Sequence, residues 1–191
     1  DTERAYYQTL NTHIKSTLGI PAVVTGTQAA YSTVNLLATL DGIDTHAYWQ
    51  HPYAPSGAFS PSNWIVPNKT MVNERGGILP AIALSRVLNK PHSVSEYNHS
   101  APNTYSSEGF PMLAAYAALQ DWDAIYAYQW GELGATGTPG MFPSWFNMNQ
   151  HPNKLANWIA ATALFRRADV SPANQHVVVP LASTQEPDWL R

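Results

Sequence analysis

Glu96 is the residue best placed to do chemistry. It lies in the run His92-Ser-Val-Ser-Glu-Tyr-Asn-His99, whose mix of apolar and polar positions predicts a strand ending in Glu, Tyr, Asn and His. A helix-like run follows from Glu108 to Gln120, and a second strand-like run, Asp123 to Trp130, ends in Tyr128, Gln129 and Trp130. A third, Gly42 to Trp49, ends in His46, Tyr48 and Trp49. In parallel α/β folds the carboxyl ends of strands hold the reactive groups. A carboxylate among imidazole, phenol and amide groups at such an end reads as an active site. The plainer alternative is a glutamate that caps a neighbouring helix or pairs with an arginine.

Composition narrows the ligand. Of 191 residues 45% are hydrophobic and 12% charged, with a net charge of −3. The charged share is about half of the usual quarter. Seven Trp and ten Tyr accompany it, a balance that favours a neutral, hydroxyl-rich ligand such as a sugar. There is no basic run of the kind nucleic-acid binders use, and no apolar stretch of membrane-spanning length. Nucleic acid and membrane are therefore not expected partners. Zero cysteines exclude disulfides and thiolate metal sites. They leave the compartment undecided, with a secreted or periplasmic setting slightly preferred.

The elements that must position these groups follow in order. Tyr6, Leu10, Ile14 and Leu18 recur every four residues and predict one face of a helix closed by Gly19. Ala22 to Thr25 is a short β-branched run, predicted as a strand, and Ala29 to Leu40 as a helix. The segment His51 to Lys69 is a long proline-rich loop bearing Tyr53, Phe59 and Trp64; loops of this length are usually functional or disordered. Ile78 to Leu88 predicts a helix packed on a sheet. After Trp130 comes a glycine-rich loop with Trp145 and Phe146, then a helix over Leu155 to Arg167. Gln175 to Leu181 predicts a last strand. Repeated strand and helix imply a parallel α/β sheet. Four strands with aromatic loops at one end suit a (β/α)8 TIM barrel better than a doubly wound sheet, since no glycine-rich phosphate loop follows any strand. A full barrel takes about 250 residues, so the expectation is half of one over residues 1–170, with 171–191 opening a β-rich appendage or tail.

The series Asp44-x-His46-x-Tyr48-Trp49, Asn89-Lys90-Pro91, Ser95-Glu96-Tyr97-Asn98, Asp121-Trp122-Asp123 and Trp130 resembles the second half of the clan A retaining glycoside hydrolases. Those enzymes are similar to the family-five cellulases and mannanases and the family-forty-two β-galactosidases. The resemblance implies strands five to eight of the barrel, with Glu96 as nucleophile at the end of strand seven. It implies His46 and Tyr48 beside it, Trp130 as the floor of the sugar site, and Trp49 and Asn98 as further substrate-binding residues. The clan's acid/base is a Glu after an Asn on strand four. Asn73-Glu74 falls between strands six and seven instead. The acid/base is therefore expected upstream of residue 1, in a missing N-terminal half-barrel or on a partner chain.

Retention requires two carboxyls about 5–5.5 Å apart, one attacking the anomeric carbon and one protonating the departing oxygen. Glu96 would attack, held ionised by Tyr48 or His46. No cofactor or metal is required by this reading. Two alternatives remain: a non-catalytic carbohydrate-binding barrel domain, and a metal-dependent barrel hydrolase using Asp44, His46, His51 and His99.

Overall fold

The computed structural model describes residues 2–28, 31–60, 62–75, 77–131 and 144–182. Its elements, in order, are α1 (Thr2–Thr12), a π-helical turn (His13–Thr17), α2 (Val34–Leu37), β1 (Ile43–Trp49), α3 (Ile78–Leu84), β2 (His92–His99), α4 (Gly109–Leu119), β3 (Ala124–Ala127) and α5 (Pro152–Arg167). The three strands form one parallel sheet in the order β1-β2-β3. Each crossover carries a helix, as parallel pairing demands.

Alternation along the strands separates two faces. Ala47 and Trp49 of β1, Val94 and Tyr97 of β2, and Ile125 and Ala127 of β3 pack into one apolar cluster with α3, α4 and α5. Phe110, Leu113, Ala114 and Ala117 supply the α4 side, and Ala161, Trp158 and Leu155 the α5 side. The intervening residues Asp44, His46 and Tyr48 stand on the other face. Among the described residues the helices α3, α4 and α5 pack on the opposite face.

Capping accounts for several boundaries. The Thr33 hydroxyl accepts from the Leu36 N–H at the start of α2. Pro152 begins α5 behind His151, whose ring nitrogen accepts from the Lys154 N–H. Arg166 and Arg167 occupy its last turn, where the helix dipole favours cations, and Ala168 ends it with φ 53°.

The sheet corrects the expected architecture. It is open and three-stranded, not four strands of half a (β/α)8 barrel. Ala22–Thr25 is the strand that does not form. It lies beside the entry to β1, where Val24 accepts from the Asp41 N–H at 3.0 Å and gives its own N–H to the Asp41 carboxylate at 2.8 Å. A side chain has taken the donor that a strand partner would need, so β-branched composition there leads to an extended segment only. The predicted helix over Ala29 to Leu40 shrinks to Val34–Leu37; residues 29 and 30 lie outside the described set. The stripe of Tyr6, Leu10, Ile14 and Leu18 lies on α1 and the turn after it, but none of these residues is buried. Gln175–Leu181 is not a strand. It is tethered by the Ala173 N–H to Leu119 O (2.9 Å) and leaves Val177, Val178 and Val179 exposed. The end of the expected appendage, residues 183–191, lies outside the described residues.

Candidate active site

A bulge aims Glu96. Thr45 pairs with Val94, but the next residue, His46, pairs with Glu96, so Ser95 is an extra residue on β2. The other neighbour registers the same insertion, with Val94 opposite Ile125 and Tyr97 opposite Ala127. Val94 and Tyr97 are three positions apart yet share the helix-facing core. Strict period-two alternation would have sent Glu96 into that core with Val94. The inserted residue instead turns Glu96 onto the open face, a common use of bulges beside functional sites.

Local chemistry fixes the bulge. Asp44 Oδ1 accepts from the Ser95 N–H (3.1 Å) and the Ser93 hydroxyl (2.6 Å), and Asp44 Oδ2 from the Ser95 hydroxyl (2.5 Å). The carboxylate thus takes up an N–H left over from the sheet ladder.

On the open face Glu96 meets two groups from β1. The Tyr48 hydroxyl donates to Glu96 Oε2. Burial first, then the bond to Glu96, pushes the Tyr48 phenol well above its ordinary range, so it stays a proton donor. His46 Nδ1 lies 3.5 Å from the same oxygen, while its Nε2 lies 2.8 Å from Ser95 Oγ and 3.3 Å from Asp44 Oδ2. The Tyr48 hydroxyl holds Oε2, His46 Nδ1 lies beside it, and the Glu96 side chain is 32% exposed. Oε1 is the oxygen left to face a ligand.

Aromatic rings wall the site. Tyr48 stacks at a tilt on Phe146 (centroids 4.6 Å) and edge-on to Tyr128 (5.8 Å) and His51 (5.6 Å), and His51 also meets Phe146 (5.6 Å). Asn98 is fully buried and donates to the carbonyls of Tyr128 and Phe146. It holds the segment after β3 to the loop before α5.

The remaining expectations separate. Trp49 is buried in the helix-facing core and its indole N–H donates to Lys69 O at 2.9 Å, so it anchors the loop after β1 and offers no face to a sugar. β3 ends at Ala127, three residues short of Trp130. Trp130 is 68% exposed, and among the described residues no ring pairs with it. Tyr128 is the residue that joins the wall. Of the proposed metal set, His99 points into the core against Tyr97 and Trp49, on the face opposite His46. The described residues contain no group of three His, Asp or Glu able to hold a metal. The role of Ser95 carries no signal in the sequence, and Tyr128 is recognisable there only as one of the residues ending the Asp123–Trp130 run. Phe146 is recognisable there only as a loop aromatic.

Every other described carboxylate is engaged elsewhere. Glu3 accepts from Ser32, Asp41 pairs with Lys15, Glu74 with Lys69, Asp121 with Arg86, and Asp169 with Arg167. Glu108 accepts from Thr70 and the Met71 N–H, and Asp123 from the His92 N–H. Glu96 and Asp44 are thus the two carboxylates on the open face, and Asp44 is enclosed by the serines.

No family model, curated protein or solved structure matches the chain. The functional reading therefore rests on the geometry.

Proposed function

We propose that the chain carries the nucleophile half of a retaining β-glycosidase site, with Glu96 attacking the anomeric carbon of a β-linked oligo- or polysaccharide. The observation that supports it is the pinning of one carboxylate oxygen by a phenol that does not ionise, beside an imidazole and an aromatic wall, while the other oxygen has no partner among the described residues. In the reaction Oε1 forms an ester bond to the anomeric carbon as the leaving oxygen departs with the bonding electron pair. Tyr48 continues to donate to Oε2 and holds the carboxylate plane still. Water then cleaves the ester. Protonation of the leaving group falls to a carboxyl outside the described residues, since Asp44 is already saturated with donors.

That division of labour sets the test. A glycoside with an excellent leaving group such as dinitrophenolate needs no proton donor, and fluorine beside the anomeric carbon slows hydrolysis of the ester. Incubating the chain with such gluco-, galacto- and manno-configured reagents is expected to add one glycosyl mass to the peptide containing Glu96. Glu96→Gln is expected to abolish the adduct with an unchanged circular dichroism spectrum. No adduct with any of the three, or an adduct that survives Glu96→Gln, would remove the proposal.

A second reading is favoured by one observation, the lack of a second free carboxylate on the open face among the described residues. On that reading the site binds sugars without cleaving them. It requires saturable oligosaccharide binding with no covalent adduct.

A further inference from the structure

Resting on the nucleophile reading of Glu96, we infer that Ser95 and Asp44 are positioning residues that lock the His46 ring with Nε2–H toward Ser95 and Nδ1 toward Glu96. Proton counting leads there. Asp44 Oδ1 accepts from a backbone N–H, which can only donate, and from the Ser93 hydroxyl. Asp44 is therefore an acceptor throughout. The single hydroxyl proton of Ser95 lies on the 2.5 Å contact to Asp44 Oδ2. That leaves the Ser95 oxygen with only lone pairs for His46 Nε2, 2.8 Å away, so Nε2 must carry the proton. Asp44 Oδ2, 3.3 Å from the same nitrogen, adds a second acceptor of the same sense.

The consequence falls on the other nitrogen. With Nε2 committed to Ser95, Nδ1 is the nitrogen that meets Glu96 Oε2, 3.5 Å away. A neutral ring would there set a lone pair against a carboxylate. A proton on Nδ1 turns the same contact into an attraction between imidazolium and carboxylate. The row Asp44–Ser95–His46–Glu96 thus fixes which ring nitrogen meets the nucleophile. Ser95 has both parts to play because it is the bulged residue: its N–H is free for Asp44 and its hydroxyl lies between Asp44 and His46. A serine whose only task was the bulge would leave the histidine free to turn.

Nitrogen-15 NMR of the histidine rings in the full chain tests this, with the His46 signals identified by their loss in His46→Gln. Wild type is expected to show a hydrogen-bonded Nε2–H on His46. Ser95→Ala is expected to lose it to rapid solvent exchange, Ser95→Thr to restore it, and Asp44→Asn to shift it. A stitch between strands with no bearing on the ring would lower the melting temperature in Ser95→Ala but leave the His46 spectrum unchanged, and that result overturns the inference. Should Ser95→Ala not fold, Asp44→Asn and Ser95→Thr decide it by the same signal. The spectrum is read without substrate, so an absent glycosyl adduct with an ordered His46 would fault the nucleophile reading and leave this one standing.

Discussion

Lys154 has its ammonium group in a place water does not reach. The residue is wholly buried, and Nζ donates to the Trp145 carbonyl at 3.4 Å; no ion pair reaches it among the described residues. Burial lowers its pKa from 10.5 to about 7. In the unfolded chain the amine holds its proton up to pH 10.5, so between the two values the unfolded state binds more protons and stability falls as pH falls from about 10.5 to about 7. Lys154→Met keeps the stem and removes the charge, and is expected to flatten that slope, read as urea midpoints across the window. Three buried histidines extend the trend into acid. Burial is the first cause in each, holding His92 and His151 down to about 4 and His99 to about 3. Unfolded histidines take up protons from about 6.5 downward, so their neutral packing stabilises the fold above that pH and is lost as pH falls toward 3–4. A fall of a few kcal/mol in unfolding free energy between pH 7 and 4 is expected, and His99→Phe should reduce it; a pH-independent midpoint would contradict the assignment.

The strand that carries Glu96 is held in its odd register from both sides. Deleting Ser95 restores regular alternation and leaves Glu96 on the open face between Val94 and Tyr97, but it removes the N–H and hydroxyl that donate to Asp44 and the oxygen that meets His46 Nε2. Asp44 keeps only the Ser93 hydroxyl of its three donors, so the deletion is expected to cost about 1–3 kcal/mol in denaturant unfolding, whereas Ser95→Gly, which keeps the residue count and the N–H, is expected to cost less. Near-ultraviolet circular dichroism distinguishes the two. At the next element, Gly109 opens α4 against His99, and a Cβ there would lie 2.5 Å from His99 Cδ2. The ring has little room to yield, since Nε2 is 3.2 Å from the Tyr97 hydroxyl and Trp49 lies beside it. Gly109→Ala is therefore expected to cost about 1–3 kcal/mol in denaturant unfolding, with no change at Glu96.

Among the described residues the sheet packs helices on one face, and its outer strand β3 has no strand partner beyond it. Tyr126 on that strand and Ile159 on α5 are 57% and 72% exposed, and Tyr126 lines a cavity of about 410 Å³ together with Ile125, Trp158, Thr162, Phe165 and Arg166. Unpaired edges beside apolar surface favour association. Tyr126→Lys is expected to lower concentration-dependent association in sedimentation with little change in the unfolding midpoint.

The periodicity of the chain placed β1, β2, α4 and most of α5, because alternation and helical spacing report which side of an element meets apolar surroundings. Glu96 stood out by its place near a strand end, and His46 and Tyr48 beside it through the resemblance to the glycosidase clan. Those signals are local. They did not reveal that Ala22–Thr25 would lose its ladder to the Asp41 side chain, or that Gln175–Leu181 would find no strand partner among the described residues, since pairing depends on what lies alongside. Nor did they reveal the insertion at Ser95. One extra residue inverts the faces of everything after it, and only neighbouring strands in register expose the slip. Trp49 and Trp130 looked alike as aromatic strand ends. The packed sheet put the first into the core and left the second beyond β3, because side-chain direction depends on where a strand stops and on what it pairs with.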